Sequence, residues 1–289
     1  MESARRCMAK TYFSLFQYPL TCVEHVLWCS DAHHSFEAPP GLWGMREKRQ
    51  TIAQKKWRKA LRWGRVVAAM PYVRLVAVCN NLSYDNATQG SDLDIFIVTA
   101  SGRIWTARFF VSLFLKLFGL RPHSGKTRDQ LCASFFVSED HLNLQSIALQ
   151  EFSISNFRFP DNFKIPDVYL HYWTVTLYPI YDAGGVYRRF CEANGWIAKA
   201  LPHASIVIPH PWRTIRPIAP WAKKLCEFFC RDWIEGLLKR FQTRAFPRAI
   251  RALMNKDTRV VVSDAILKFH TNDRRGEYRK RWAEKMKEI

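Results

Sequence analysis

Between residues 73 and 137 the chain runs strand, loop, strand, helix, strand within about 65 residues, and this order narrows the fold more than any other feature. VRLVAVCN (73–80) is a β-branched run, followed by the polar loop NLSYDNATQGS. DLDIFIVT (92–99) opens on two aspartates and turns apolar at once. After the turn ASG, RIWTARFFVSLFLKLFGL reads as an apolar helix stopped near Gly119, and LCASFFV (131–137) as a third buried strand. The expected class is α+β: a small mixed sheet in a core at 66–150, between an N-terminal helical segment (1–65) and a mainly helical region (151–289).

The flanks carry helical signals. In KTYFSLFQYPLTCVEHVLWCS (10–30), apolar positions on either side of Pro19 predict two short helices, with Thr21 as N-cap and Glu24 completing a capping box. Such a pair fits a winged-helix-like unit. REKRQTIAQKKWRKALRWGR (46–65) is strongly basic, and helical periodicity places Ile52, Trp57, Leu61 and Val66 on one side. A nucleic-acid-facing helix and a solvated linker helix stay equally open there. YLHYWTVTLYPIY (169–181) and VYRRFCEANGWIAKALP (186–202) read as helices, and IPHPWRTIRPIAP (208–220) as a connection. WAKKLCEFFCRDWIEGLLKRFQTRAF then reads as one long amphipathic helix. Its apolar face (Trp221, Leu225, Phe228, Trp233, Leu237) is expected in the core, with peripheral membrane attachment through 221–241 as the alternative. The end, RVVVSDAILKFHTNDRRGEYRKRW, predicts a short strand, a turn and a basic last helix.

Charge bounds the partners. Lys and Arg number 44 against 25 Asp and Glu, a formal +19, which favours nucleic acid, nucleotide phosphates or an anionic membrane surface. The eight cysteines show neither a CxxC pair nor a zinc-ligand spacing, so free thiols are expected, Cys226 and Cys230 included. The opening MESARRCMAK lacks the features of a signal peptide, and FFVSLFLKLFGL (109–120) is too short to span a bilayer. A cytoplasmic protein without stable membrane insertion is the expectation.

Asp92 and Asp94 bear the chemistry. Side chains at i and i+2 of a strand share a face, so the two carboxylates point together while Leu93, Ile95 and Ile97 enter a core. Paired carboxylates repel unless a cation lies between them. Mg²⁺ suits that geometry, since it takes one or two carboxylates plus substrate phosphates. Asn80, Asn81, Ser83 and Ser91 in the neighbouring loop are candidate phosphate donors.

The stretch VAVCNNLSYDNATQGSDLDIFIV resembles the DNA polymerase β-like nucleotidyltransferase superfamily, whose mark is a Gly-Ser turn after one strand and D-x-D at the start of the next. FQYPLT (16–21), SGRIWTARFF (101–110), YRRFCEANGWIAKALP (187–202) and LKFHTNDRR (267–275) extend the likeness to a poorly characterised bacterial group of nucleotidyltransferase domain-containing proteins. The resemblance implies Mg²⁺-dependent transfer of a nucleoside monophosphate from an NTP such as ATP to an unidentified acceptor. On that reading Asp92 and Asp94 would hold the metals, and Asn80, Asn81, Ser83, Ser91 and Arg108 are the candidate nucleotide contacts. Two departures stand out: Asn80-Asn81 replaces Gly-Ser, and LCASFFV carries no third carboxylate, leaving Glu139 and Asp140 as the nearest acids. The alternative is a catalytically degenerate relative acting as a basic RNA- or DNA-binding module.

Other residues weigh less. Arg103 and Arg108 flank Trp105, where a triphosphate clamp competes with a surface pair beside a core tryptophan. Lys126 lacks the glycine context of a phosphate loop, and His33-His34 has no partner arrangement. His171 is expected to be a satisfied core histidine, and His270 and Asp273 a hydrogen-bonded structural pair.

Overall fold

In the computed structural model the described residues are 8–28, 39–122, 125, 127–153, 164–201, 213–230 and 232–288. Lys126 and His33-His34 lie outside them. The class is α+β: the described residues form ten helices and a six-stranded mixed sheet, with helices at both ends. The sheet forms from β1 (Val73–Val78), β2 (Leu93–Thr99), β3 (Leu131–Ser138), β6 (Tyr178–Asp182), β7 (Val260–Val262) and β8 (Ile266–Phe269), in the order β6-β1-β2-β3-β8-β7. The short strands β4 (Phe152–Ser153) and β5 (Lys164–Ile165) make a separate two-stranded sheet. Among the described strands only β2 and β3 pair in parallel, joined by helix α4 (Ile104–Leu117). That crossover brings the starts of both strands to the same edge of the core.

Each face of the sheet is covered. Leu93, Ile95 and Ile97 enter a cluster with α4 and the long helix α3 (Pro40–Ala68), while Phe96 and Val98 enter a second cluster with α5 (Val168–Val175) and α6 (Val186–Ala193). The buried seam of α3 is Ala53, Lys56, Trp57, Ala60, Gly64, Val67 and Ala68, so Trp57 of the expected side is in it while Ile52, Leu61 and Val66 lie at its margin. Small residues let the helix lie close to the sheet. A Cβ on Gly64 would come within 2.6 Å of Ile180 Cδ1.

The first and last described helices meet. α1 (Met8–Ser14) packs against α5 and the last helix, α10 (Arg275–Glu288), and Trp282 Nε1 donates to the Met8 carbonyl at 3.2 Å. Helix α2 (Cys22–Trp28) starts with the capping box: Glu24 N–H donates to Thr21 Oγ1 at 3.3 Å, and Thr21 N–H to Glu24 Oε2 at 2.8 Å.

Three expectations on the C-terminal side change. YLHYWTVTLYPIY is not one helix: α5 stops at Val175, and Tyr178–Asp182 becomes an edge strand paired with β1. The 186–202 segment is α6 followed by a 3-10 turn at Gly195–Lys199. The long basic helix is two, α7 (Pro220–Phe229) and α8 (Asp232–Arg244), followed by the short α9 (Arg248–Leu253), and the apolar face of α7 and α8 is not core. Trp221, Leu225, Phe228, Trp233 and Leu237 are all exposed.

Candidate active site at the start of β2 and β3

Parallel pairing sets Asp94 beside Cys132 in adjacent strands. Together with Asp92 they form a group whose ligand atoms all lie within 4.8 Å of one another. The shared face expected of the aspartates is present, and the third position around them holds a thiol. Glu139 and Asp140, the nearest acids in sequence, are at the far end of the same strand pair, where Glu139 N–H donates to the Thr99 carbonyl. Arg189 pairs with Glu139 at 2.9 Å, and Ser101 donates to Asp140 at 2.7 Å. Neither acid completes the group at Asp92 and Asp94, because an eight-residue strand separates them from it.

Electrostatics at the group follow from crowding and poor solvation. Desolvation first, and then the charge of Asp92, push the Asp94 carboxyl up to about 7, against a lowering hydrogen bond from Asn80. Asp92 is also raised by desolvation, opposed by its backbone hydrogen bond and the Lys56 ammonium. Burial and the two aspartates drive the Cys132 thiol well above its ordinary value, so it stays protonated. A divalent cation would relieve the repulsion, and the two carboxylates suit a hard ion such as Mg²⁺. A protonated thiol does not suit that ion, so Asp92 and Asp94 are the residues that would hold it.

The loop before β2 is held from beneath. Asn80 has φ of +58°, so it occupies the left-handed turn position that glycine usually fills. Its side-chain oxygen accepts from the Tyr169 hydroxyl at 3.0 Å, and its carbonyl from Ser83 Oγ at 2.7 Å. Asn81 Oδ1 accepts from the Tyr84 hydroxyl at 2.5 Å, and Ser91 Oγ donates to the Thr88 carbonyl at 2.9 Å. Of the expected phosphate donors, Asn80 acts on the Asp94 carboxyl and Ser91 precedes Asp92 directly in the chain.

Arg108 is placed elsewhere. Its guanidinium lies over the rings of Phe246 and Phe269, at 5.2 and 4.5 Å, and donates to Gln242 Oε1. Burial and Arg121 lower its pKa to about 10. Arg103 is paired with Asp232 and lies over Tyr72, while Trp105 is buried and donates to Asp264. The core tryptophan is as expected, but the arginines beside it are half-buried and partnered and do not form the expected surface pair.

Lys56 is the residue that periodicity hid. It is a buried lysine in the seam of α3, where a basic run argues for solvent. Its ammonium donates to the carbonyls of Ser91 (2.6 Å) and Gln89 (3.3 Å) and to Asp129 Oδ1 (2.8 Å), tying down the backbone that delivers Asp92.

Beside Asp94 opens a cavity of about 230 Å³, lined by Asn80, Ser134, Tyr169, Trp173, His270 and Tyr278 among others. Tyr169 and Tyr278 stack at 5.5 Å and 9°. The segment LKFHTNDRR supplies its far wall. His270 is 3.0 Å from Ser134 Oγ, not bonded to Asp273 as expected, and burial lowers its pKa to about 3, so the ring is neutral. Asp273 instead takes Lys268 at 2.8 Å and Arg275 at 2.9 Å. A larger cleft, about 750 Å³, lies by Glu139 and Asp140, away from the paired aspartates. His171 is the satisfied core histidine expected, with Nδ1 2.7 Å from the Asp167 carbonyl. The described cysteines are free, as expected, though Cys22 and Cys226 are exposed.

No known protein family, curated protein or solved structure matches the chain.

Proposed function

We propose that this protein is a Mg²⁺-dependent nucleotidyltransferase, with β1, β2, α4 and β3 as a nucleotidyltransferase-like core and a helical, winged-helix-like N-terminal part. The observation that carries the reading is the Asp92–Asp94 pair. Two carboxylates share one face, both are raised in pKa, and the left-handed Asn80 turn lies directly behind them. A pair so poorly solvated calls for a cation, and a cation there would bind the phosphates of an NTP. The cavity beside Asp94 falls below the usual range for drug-sized ligands, so it suits a nucleobase or a small acceptor group. The described free thiols fit a reducing, cytoplasmic setting.

One observation favours the second reading, a relative that binds nucleotide or nucleic acid without transferring. The third position is Cys132, which remains a thiol and offers no base to an attacking hydroxyl. Lys48, Lys55, Arg58, Arg62 and Arg65 form an exposed stripe on α3 that would meet RNA or DNA. Incubation with each labelled NTP and Mg²⁺, followed by release of pyrophosphate, separates the two. Release that Asp92→Asn abolishes supports transfer. NTP or RNA binding with no pyrophosphate release in the unmodified protein supports the second reading.

A further inference from the structure

Helices α7 and α8 are built inside out. The face of α7 that meets the body is polar: Lys223 Nζ donates to the carbonyls of Ala68 (3.0 Å) and Val73, and Glu227 accepts from Tyr72 N–H at 2.7 Å. The face of α8 that meets the body is polar as well. Glu235 accepts from the N–H groups of Trp105 (2.7 Å) and Thr106 (2.9 Å), and Gln242 Nε2 donates to the Trp105 carbonyl at 2.8 Å. The apolar stripes therefore turn outward. Trp221 (70% exposed), Leu225, Phe228 (74%) and Phe229 follow helical spacing on α7, and Trp233 (67%), Leu237 and Phe241 do so on α8. Phe241 reaches Phe109 of α4, ring to ring at 6.4 Å, and past it Leu113, Leu117 and Phe118 continue the exposed apolar surface of that helix.

The charges around these stripes are mostly positive. Residues 220–253 hold eight Lys and Arg against three acids. Glu227 and Glu235 face the body, and Asp232 is paired with Arg103. Arg240 and Arg244 share the outward side of α8 with Trp233 and Leu237, and Lys224, Arg248 and Arg251 are exposed nearby. Aromatic and aliphatic side chains among arginines are the composition of a helix that lies in a lipid interface: rings enter the headgroup boundary while guanidiniums reach phosphate. No described helix is long and apolar enough to cross a membrane. A second copy of this chain would bring +19 against +19, so like charge opposes self-association through this face.

We infer that α7 and α8 are a docking surface for an anionic lipid bilayer, on which the protein rests peripherally. This stands whether or not the aspartate site transfers nucleotides. Such a surface draws juxtamembrane basic residues through its negative potential and holds them by apolar insertion.

The test is flotation of the full chain with vesicles of phosphatidylcholine alone or with about half phosphatidylglycerol. Binding to the anionic vesicles at least ~10-fold above neutral ones is expected, weakening with salt. Replacing Trp221→Ser, Trp233→Ser and Phe241→Ser together should lower the partition by roughly 100-fold with the melting temperature held, since those side chains are exposed. Should that variant misfold, brominated lipids test the unmodified protein, where quenching of tryptophan fluorescence is expected. Absence of flotation with anionic vesicles, undiminished flotation of the folded triple variant, or absence of quenching overturns the proposal. A dimer in sedimentation velocity that the triple variant dissociates overturns it too, in favour of a second copy.

Discussion

The two ends of the β2–β3 pair treat their acids in opposite ways. At the far end, Asp140 carries some cost of desolvation, but the Ser101 hydroxyl and His141 outweigh it and hold the carboxyl below its usual range. Glu139 has Arg189. At the near end Asp92 and Asp94 share a face, Cys132 and Asn80 adjoin Asp94, the Lys56 ammonium only partly offsets the desolvation of Asp92, and both carboxyls are raised. Acids that serve structure arrive with partners from the same fold. Among the described residues the aspartate pair forms no direct ion pair, which fits the proposed cation site.

Breaking the tether under the near end should have the largest effect on stability. Lys56→Met removes a buried ammonium from two carbonyls and from Asp129 while Lys59 still reaches that acid, so about 2–4 kcal/mol should be lost. Urea unfolding measures it, and a loss under ~1 kcal/mol would mean the loop holds itself.

The next effect has the opposite sign. Asp94 has a folded pKa raised to about 7 from 3.8, so its penalty is absent below about pH 4, grows as pH rises, and is complete above about pH 7. Asp94→Asn should therefore raise the melting temperature at pH 8 by several degrees and do little at pH 4. The matching change at the far end, Asp140→Asn, should lower it at pH 8. Equal signs at the two ends would erase the contrast.

Smaller still, millimolar Mg²⁺ should raise the melting temperature by a few degrees at pH 8 and less at pH 5, where Asp94 is protonated. Cys132→Asp, which supplies the third carboxylate, should enlarge that shift, with roughly tenfold tighter Mg²⁺ binding by calorimetry. Glu139→Gln, at a partly exposed ion pair, should cost no more than ~1 kcal/mol.

Sequence reading served best where chemistry is local. The order β1, β2, α4, β3, the Thr21–Glu24 box and the shared face of Asp92 and Asp94 follow from alternation, capping and the two-residue period of a strand. What it missed depends on contacts across the chain. Tyr178–Asp182 resembles a helical continuation until β1 offers it an edge, and Lys56 looks solvated until Asp129 and the Ser91 carbonyl meet it. Cys132 becomes visible as a member of the site only when parallel pairing sets it beside Asp94. The outward stripes of α7 and α8 mislead for a related reason. Periodicity reports an apolar face and says nothing of which side the body takes, and here Lys223, Glu227, Glu235 and Gln242 decided it.

The central claim is that the aspartate pair binds a divalent cation together with nucleotide phosphates. Titration calorimetry of an NTP into the full chain, with Mg²⁺ and then with excess chelator, tests it most directly. Binding that needs Mg²⁺ and weakens at least ~100-fold in the folded Asp92→Asn, Asp94→Asn double variant is the expected result. NTP affinity unchanged by that double variant, or by chelator, would contradict the account.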